Sequence, residues 1–450
     1  MNVVEAMQKK LDTKKVTTNE TVLEQHSGDE SYHTEHQPEA VAFPENAQEV
    51  SDIIKVAGEY NKPVVPFGVA SSLEGSVIPY DSGVVIDFSE MNQILEVKEE
   101  DFLVRVQPGV TLSQLNQELK KYGLFFPVDP GADATLGGMA ATNASGTMSV
   151  RYGIMRDQVR SLEVVLADGA ITKTGSLAVK SSSGYDLNGL LIGSEGTLGC
   201  FTELTLQVTG IPEKIVAGRA SFLTVDDAVE AVQAIKQSGI QIARVELVDA
   251  ASIEHINWFS ETEYREEATL FLEFHGNEAG LAQDRTFVED ILRDFKCQHL
   301  EFEADTAGRN RLWEARHKVL YAYVHGHPGK RLMITDVCVP TSTFAGAIKD
   351  ARDAVDASGL TGGIAGHAGD GNYHIFLMID VETEMEKAIQ LNEHIVDYAL
   401  IQGGTCTGEH GVGIGKKKYQ EREHGASLKM MQAIKKAIDP QNIMNPGKVL

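Results

Sequence analysis

The run Gly366-His367-Ala368-Gly369-Asp370-Gly371-Asn372-Tyr373-His374 restricts the fold more than any other stretch of this chain. On one continuous strand, two histidines seven positions apart would face opposite sides, because side chains alternate with period 2. The intervening Gly-Asp-Gly-Asn is turn chemistry, supplying positive φ and short side chains that bond their own backbone. A chain that folds back there can bring His367 and His374 to one side. Further on, Thr407-Gly408-Glu409-His410-Gly411-Val412-Gly413 adds a carboxylate and a third imidazole, again framed by glycines. Two histidines and one carboxylate recur as a ligand set for Zn, Mn or Fe, with positions left open for substrate. By themselves the same residues also fit ordinary loop histidines beside a hairpin.

At 450 residues the chain exceeds what one hydrophobic core usually supports, so two or more domains are expected. An apolar content of 42% describes a soluble globular protein, and no segment approaches the ~18 uninterrupted apolar residues of a membrane span. The N-terminus, Met1 to about Glu39, is polar and lacks the apolar core of a secretory signal. A net charge of −25 argues against nucleic acid as a partner, since phosphate binding needs basic surface. It also means that an acidic substrate would need local cations to overcome the global field. Cys200, Cys297, Cys338 and Cys406 are far apart and form no CxxC pair, which points to free thiols in a reducing cytoplasm. The expected location is therefore cytoplasmic, with room for peripheral association at a membrane.

Along the chain, Val50, Ile53, Ile54 and Ala57 at helical spacing predict a helix over Ala47–Tyr60. The apolar strand Pro63–Phe67 then runs into the small loop Gly68-Val69-Ala70-Ser71-Ser72, which lets backbone N–H groups approach a diphosphate or is a plain surface turn. Strands are expected at Gly83–Phe88 and Phe102–Val106, and a helix at Thr111–Tyr122 stopped by Gly123. Asp129–Gly146 is the densest small-residue region, yet it carries Leu136 and Met139, as backbone packed on a large flat ligand would. Ser161–Leu166 and Glu203–Val208 read as strands, with Gly193-Ser194-Glu195-Gly196-Thr197-Leu198-Gly199 between them. From Ala217 the order becomes β-α-β-β-α-β, a split βαβ layer with helices on one face, and a partial second copy is expected over Leu332–Ala399. A last helix, Leu428–Ile438, capped by Ser427, precedes Asn445-Pro446-Gly447-Lys448.

The motifs PFGVASSLEG, PGADATLGG…TNASG, LIGSEGTLG, HAGDGNYH, GEHGVG and NPGK, in that order, resemble the FAD-linked oxidases of the vanillyl-alcohol-oxidase/PCMH fold. Within them the chain is similar to the branch holding cytochrome-type D-lactate dehydrogenase, D-2-hydroxyglutarate dehydrogenase and the glycolate oxidase flavin subunit. The resemblance covers roughly residues 38–450, and Thr335-Asp336-Val337-Cys338-Val339-Pro340 is nearest the D-lactate dehydrogenase type. It implies an α+β protein: an N-terminal segment (1–35), a PCMH-type FAD-binding domain (36–213), a ferredoxin-like-repeat substrate domain (214–420) and a C-terminal segment (421–450) returning to the FAD domain. It also implies non-covalent FAD, because the loop after Pro66 holds no His or Cys. The implied FAD contacts are Pro66, Gly68, Val69, Ala70, Ser71 and Ser72, then Pro130, Gly131, Ala132, Thr135, Gly137, Gly138, Thr142, Asn143 and Gly146, with Glu195, Gly199 and Asn445.

In such an enzyme a 2-hydroxy acid, D-lactate before others, becomes a 2-oxo acid as hydride goes to flavin N5. A divalent metal (Zn, Mn or Fe) on His367, His374 and Glu409 would bind the substrate hydroxyl. Bound metal lowers the pKa of water from ~16 to ~7, roughly 12 kcal/mol at ~1.4 kcal/mol per unit. His410 is the candidate general base, or a structural histidine beside Glu409. Arg316, inside the apolar stripe of Leu312, Trp313, Val319, Leu320 and Tyr323, needs an anionic partner: the substrate carboxylate or a structural acid. Lys330 and Arg331 read as solvated loop charges. Electrons would leave to a quinone, a cytochrome or an electron-transfer protein, and a homodimer is allowed.

Three rival readings remain: the flavin subunit of a glycolate oxidase, a non-catalytic flavin-binding subunit, and a metal-dependent hydrolase using only the late cluster. A nicotinamide fold does not fit, because Gly411-Val412-Gly413-Ile414-Gly415 is GxGxG after no clear strand.

Overall fold

The computed structural model describes all 450 residues, in two units. The first comprises Met1–Ser145, Gly153–Ile211 and Glu409–Leu450, and the second Gly146–Tyr152 and Pro212–Gly408.

In the first unit, short Val- and Ile-rich runs form a four-stranded sheet in the order Val16–Thr17, Ala40–Ala42, Val84–Asp87, Val64–Phe67. The last three strands are parallel and so need a crossover, which helix Ala47–Glu59 provides. Asn46 caps that helix through Glu49 N–H, and Val50, Ile53, Ile54 and Ala57 are buried, as their spacing predicts. A second, antiparallel sheet runs Ile94–Lys98, Leu103–Val106, Cys200–Gln207, Val159–Val165, Ile171–Gly175.

The N-terminal segment does not stand apart from this unit. Helix Val3–Lys10 buries Val3, Ala6 and Met7 in the same core as Ile53 and Ile54, and Val16 pairs with Ala42. The apolar spacing at positions 3, 6 and 7 had been masked by the flanking lysines. The C-terminus also belongs here: Asn445 N–H donates to the Val64 carbonyl and Val64 N–H to that of Ile443, laying the tail beside strand Val64–Phe67. The last helix spans Ala426–Ile438 with Gly425 before it and no side-chain cap, so Ser427 lies inside the first turn.

The second unit is built on one eight-stranded sheet. Its elements are β1 (Lys214–Phe222), α1 (Val225–Gln237), β2 (Ile242–Val248), α2 (Ala250–Ser260), β3 (Ala268–Gly276), α3 (Glu278–Asp294) and β4 (His299–Glu303). Then come α4 (Thr306–His317), α5 (Val319–Gly326), β5 (Arg331–Ile334), β6 (Val337–Cys338), α6 (Phe344–Ser358), β7 (Thr361–His367), β8 (Asn372–Ile379) and α7 (Met385–Ile401). The order β4-β1-β3-β2 is a complete split-βαβ layer, and β7-β8-β5 continues it as a second copy lacking its last strand, with β6 paired to β8.

Two expectations change here. Helix α2, capped by Asp249 through Ser252 N–H, lies between β2 and β3, where a direct β-β link was expected. Helices also cover the other face. Ile253 and Ile256 of α2, Leu312 and Trp313 of α4, and Val319 and Tyr323 of α5 pack with Val248, Phe271 and Ala365. The apolar residues on this face of the strands leave no other stable arrangement, since an open apolar sheet face would stay wet.

The second unit ends at Gly408 rather than at residue 420. Residues after Gly408 are drawn into the first unit by its acids. Glu195 accepts from Val412 and Gly413 N–H at 2.6 and 2.9 Å, and the Glu74 carbonyl accepts from Ile414 and Gly415.

Candidate active site

The GDGN turn does fold the chain back. β7 and β8 pair with His367 opposite Asn372 and Ala365 opposite His374, which sets both histidines on one face of the sheet. Gly371 has φ +84°, a conformation only glycine adopts without strain, and both Asp370 and Gly371 N–H bond the His367 carbonyl. The two imidazole rings stand 5.6 Å apart at 82°, and one ring nitrogen of each lies within 4.8 Å of the other's. Both side chains are buried.

Each ring is oriented through Nδ1. His367 Nδ1 lies 2.6 Å from Glu246 Oε1, and His374 Nδ1 lies 3.1 Å from the Thr335 carbonyl. A carboxylate and a carbonyl only accept, so each ring donates its Nδ1–H there, which makes Nε2 the nitrogen a metal would take. This is the arrangement that metal-binding histidines use, and the donor set suits a divalent metal.

Glu246 was not foreseen. It sits on β2 directly across from His367, and its other oxygen, Oε2, accepts from Arg316 Nη2 at 2.6 Å. Burial would raise its pKa, but His367 and Arg316 outweigh that and hold the carboxyl below its usual range. The anionic partner that Arg316 required is therefore present within the protein. Asp336, also fully buried, was quoted only as part of a motif. Its Oδ1 accepts from Asn372 Nδ2 at 2.7 Å, and its Oδ2 from Thr407 Oγ1 and Gly408 N–H at 2.6 and 2.8 Å. An acid inside the apolar strand Ile242–Val248 was the available signal for Glu246. Lys330, expected in solvent, instead pairs with Glu384 at 3.0 Å.

Glu409 and His410 open the third segment of the first unit, both half-buried, and Glu409 Oε2 accepts from Ser145 Oγ at 2.6 Å. In the same unit the Gly-rich stretches converge. A Cβ on Gly68 would fall on Thr135 Oγ1, and Gly196 lies against Pro66. Gly193 and Glu195 N–H bond the Ala140 and Ala141 carbonyls of the short helix Leu136–Thr142. None of the backbone N–H groups from Gly68 to Leu73 donates to a protein acceptor, which leaves a row of donors suited to phosphate. The loop holding Gly131 and Ala132 is exposed, and Gly137 rests on Pro108. Thr142 Oγ1 donates to the Gly138 carbonyl, and Asn143 Oδ1 accepts from Arg156 N–H.

Gly199, Gly146 and Glu195, also expected along the FAD, each have a place in the chain's own packing. Gly199 is buried against Val164 at the start of strand Cys200–Gln207, and Gly146 begins the short segment that belongs to the second unit. The Glu195 side chain is occupied by the tail. Burial pushes its pKa up to about 7, against the Val412 and Gly413 N–H bonds. Asn445 Nδ2 donates to the Ser76 and Glu195 carbonyls, and its Oδ1 accepts from Lys448, whose burial brings its own pKa down to about 8.

Comparison with known proteins agrees with both halves. Residues 38–175 match the FAD binding domain family, and residues 211–449 match the C-terminal domain of FAD linked oxidases. A probable mitochondrial D-lactate dehydrogenase of Danio rerio is 43% identical over 97% of this chain and 89% of its own. The mitochondrial D-lactate dehydrogenase [cytochrome] of Arabidopsis thaliana is 45% identical over 92% and 73%. Glycolate oxidase subunit GlcD of Bacillus subtilis is 35% identical over 92% and 89%. Among solved structures, p-cresol methylhydroxylase with substrate bound shares the fold at TM-score 0.82 and 17% identity, covering 99% of this chain and 96% of that one. With an FAD-binding domain and the matching C-terminal domain spanning nearly its whole length, the chain belongs to the FAD linked oxidases.

Proposed function

We propose that this protein is an FAD-dependent dehydrogenase of D-2-hydroxy acids, with D-lactate the first substrate to test. The observation that carries the proposal is the His367–His374 pair, two buried rings brought together on one face of the sheet and each oriented through Nδ1. The relatives named D-lactate dehydrogenase support the substrate class. Bound FAD, held along the Gly68–Ser72 loop and the Thr135–Asn143 run, supplies a hydride acceptor. A divalent metal on His367, His374 and Glu409 supplies Lewis-acid polarisation of the substrate hydroxyl. Of the chain's own residues, His410 takes the hydroxyl proton as the C2–H bond breaks. Arg316 holds the substrate carboxylate, its guanidinium fixed on one side by Glu246.

The substrate loses two electrons and two hydrogens, the hydroxyl hydrogen as a proton to His410 and the C2 hydrogen as hydride, so the reaction needs an onward electron acceptor. A quinone, a cytochrome or an electron-transfer protein meets that need. No helix is long and apolar enough to cross a membrane.

The test is anaerobic addition of D-lactate to the purified yellow protein. Bleaching of the flavin band by D-lactate and not L-lactate supports the proposal. A protein that takes up no FAD, or whose flavin no D-2-hydroxy acid reduces, refutes it. GlcD among the relatives favours glycolate as the second substrate to try. Chelation should abolish turnover while flavin stays bound; an unchanged rate after verified metal removal would remove the metal from the scheme.

A further inference from the structure

We propose that Glu246 is a positioning residue that couples the substrate anchor to the metal ligand. One buried carboxylate would fix the ring form of His367 and the orientation of Arg316 together. The inference rests on the metal-assisted oxidation proposed above.

Glu246 is 0% exposed, and its two oxygens are divided: Oε1 serves His367 Nδ1 at 2.6 Å and Oε2 serves Arg316 Nη2 at 2.6 Å. Its place is set by the sheet, since Glu246 and His367 are directly paired across β2 and β7. Arg316 comes from the last turn of α4 and is itself buried. Glu246 Oε2 is the one protein acceptor its side chain bonds, and Nε is buried without an acceptor, so the rest of the guanidinium is left for an incoming anion. A lone buried glutamate would be costly. Here each of its oxygens answers a group that the proposed chemistry uses.

The geometry makes an unusual demand on a substitution. Glutamine at 246 has one accepting oxygen and a donating amide. Arg316 is always charged and donates only, so it claims the oxygen. The amide then faces His367 Nδ1, which must give up its proton to accept. The proton moves to Nε2, and that ring no longer presents its Nε2 lone pair to a metal unless the proton is moved back. Removing Arg316 as well frees the glutamine oxygen for His367 Nδ1–H and restores the ligating form.

The experiment uses the full-length, FAD-loaded, metal-stripped protein and measures Zn²⁺ and Mn²⁺ affinity by competition with a chromogenic chelator. The flavin spectrum and melting temperature report folding. Glu246→Gln should weaken metal binding about 10–100-fold, the range for losing such a partner. Glu246→Gln combined with Arg316→Met should recover most of that loss while affinity for the hydroxy acid stays low. A role in packing alone would not produce recovery on adding a second substitution. Wild-type metal affinity in Glu246→Gln overturns the inference, as does a double variant no tighter than the single one. His367→Ala separates this from the reading beneath it: if it binds metal like wild type, the metal site itself is wrong. If it loses metal and Glu246→Gln does not, only the coupling fails.

Discussion

Replacing Asp336 by asparagine should loosen the chain that leads into Glu409, and the size of the effect follows from the contacts. Asp336 is 0% exposed and accepts three hydrogen bonds, from Asn372 Nδ2, Thr407 Oγ1 and Gly408 N–H. Asparagine keeps one accepting oxygen. If that oxygen stays toward residues 407 and 408, the new amide meets the amide of Asn372, which retains the Val337 carbonyl at 2.8 Å. If it turns the other way, Gly408 N–H has no acceptor. Hydrogen bonds to charge contribute about 1.5–3 kcal/mol each, and a buried donor left unmet costs about 1–3 kcal/mol. A net loss of about 2 kcal/mol is expected, which corresponds to roughly thirtyfold faster local opening. Hydrogen–deuterium exchange read by mass spectrometry on a peptide spanning 400–412 measures it directly. Exchange there should accelerate at least tenfold, while peptides from the first unit's Ala47–Glu59 helix keep their protection. An Asp336→Asn protein that is folded and exchanges this peptide at the wild-type rate would refute the account.

Other residues give separate tests. Gly68→Val would drive a side chain into Thr135 Oγ1, so the purified protein should carry little FAD, read as the ratio of flavin to protein absorbance. Normal flavin content would mean the two loops can part without affecting the cofactor. Glu195→Gln leaves Val412 or Gly413 N–H facing an amide, so the C-terminal tail should be cut sooner in limited proteolysis, with about 1–3 kcal/mol of stability lost. His26 bonds Asp87 at 2.8 Å and the Val22 carbonyl at 2.7 Å; burial opposes its protonation, but these bonds leave its pKa raised above 6.5. A raised folded pKa means the contribution is fully present below 6.5 and lost as pH rises through the folded value. The melting-temperature gap between wild type and His26→Gln should therefore shrink from mildly acidic to mildly alkaline buffer. A gap that is constant or widens would contradict the assignment.

What the sequence disclosed depended on whether a residue announced its own geometry. The GDGN turn did, because Gly371 needs a positive φ and a hairpin there forces His367 and His374 onto one face. The helix Ala47–Glu59 did, through apolar spacing and its Asn46 cap. Helix α2 did not. Its stretch Ala250–Ser260 has apolar residues on more than one side, with Trp258 exposed and Ile253 and Ile256 buried, so no clean stripe marked it. Glu246 and Asp336 were harder still. Their roles exist only through partners far along the chain, 121 residues for Glu246 with His367 and 36 for Asp336 with Asn372. No local pattern encodes a pairing across strands that are adjacent only after folding.

Those two acids change the meaning of the chain's charge. A protein of net charge −25 that is to bind an acid must provide positive potential locally, and Arg316 was the sequence's one candidate inside an apolar stripe. Yet Arg316 is already neutralised by Glu246, and Asp336 adds a further buried carboxylate beside His374, at 3.6 Å from Nδ1. With both rings neutral, and counting Glu409, the formal charges of Arg316, Glu246, Asp336 and Glu409 sum to two net negative, which repels a carboxylate substrate in a buried setting where Coulomb terms are large. A dication bound to the two Nε2 atoms would cancel that sum. On this reasoning a metal held there would first relieve the repulsion of an anion, and polarising the hydroxyl would come second. Removing metal should then raise the Kd for a redox-inert carboxylate such as oxalate as strongly as it slows turnover. Metal-free protein that binds oxalate as tightly as the metal-loaded form would show that the cation has no part in anion capture.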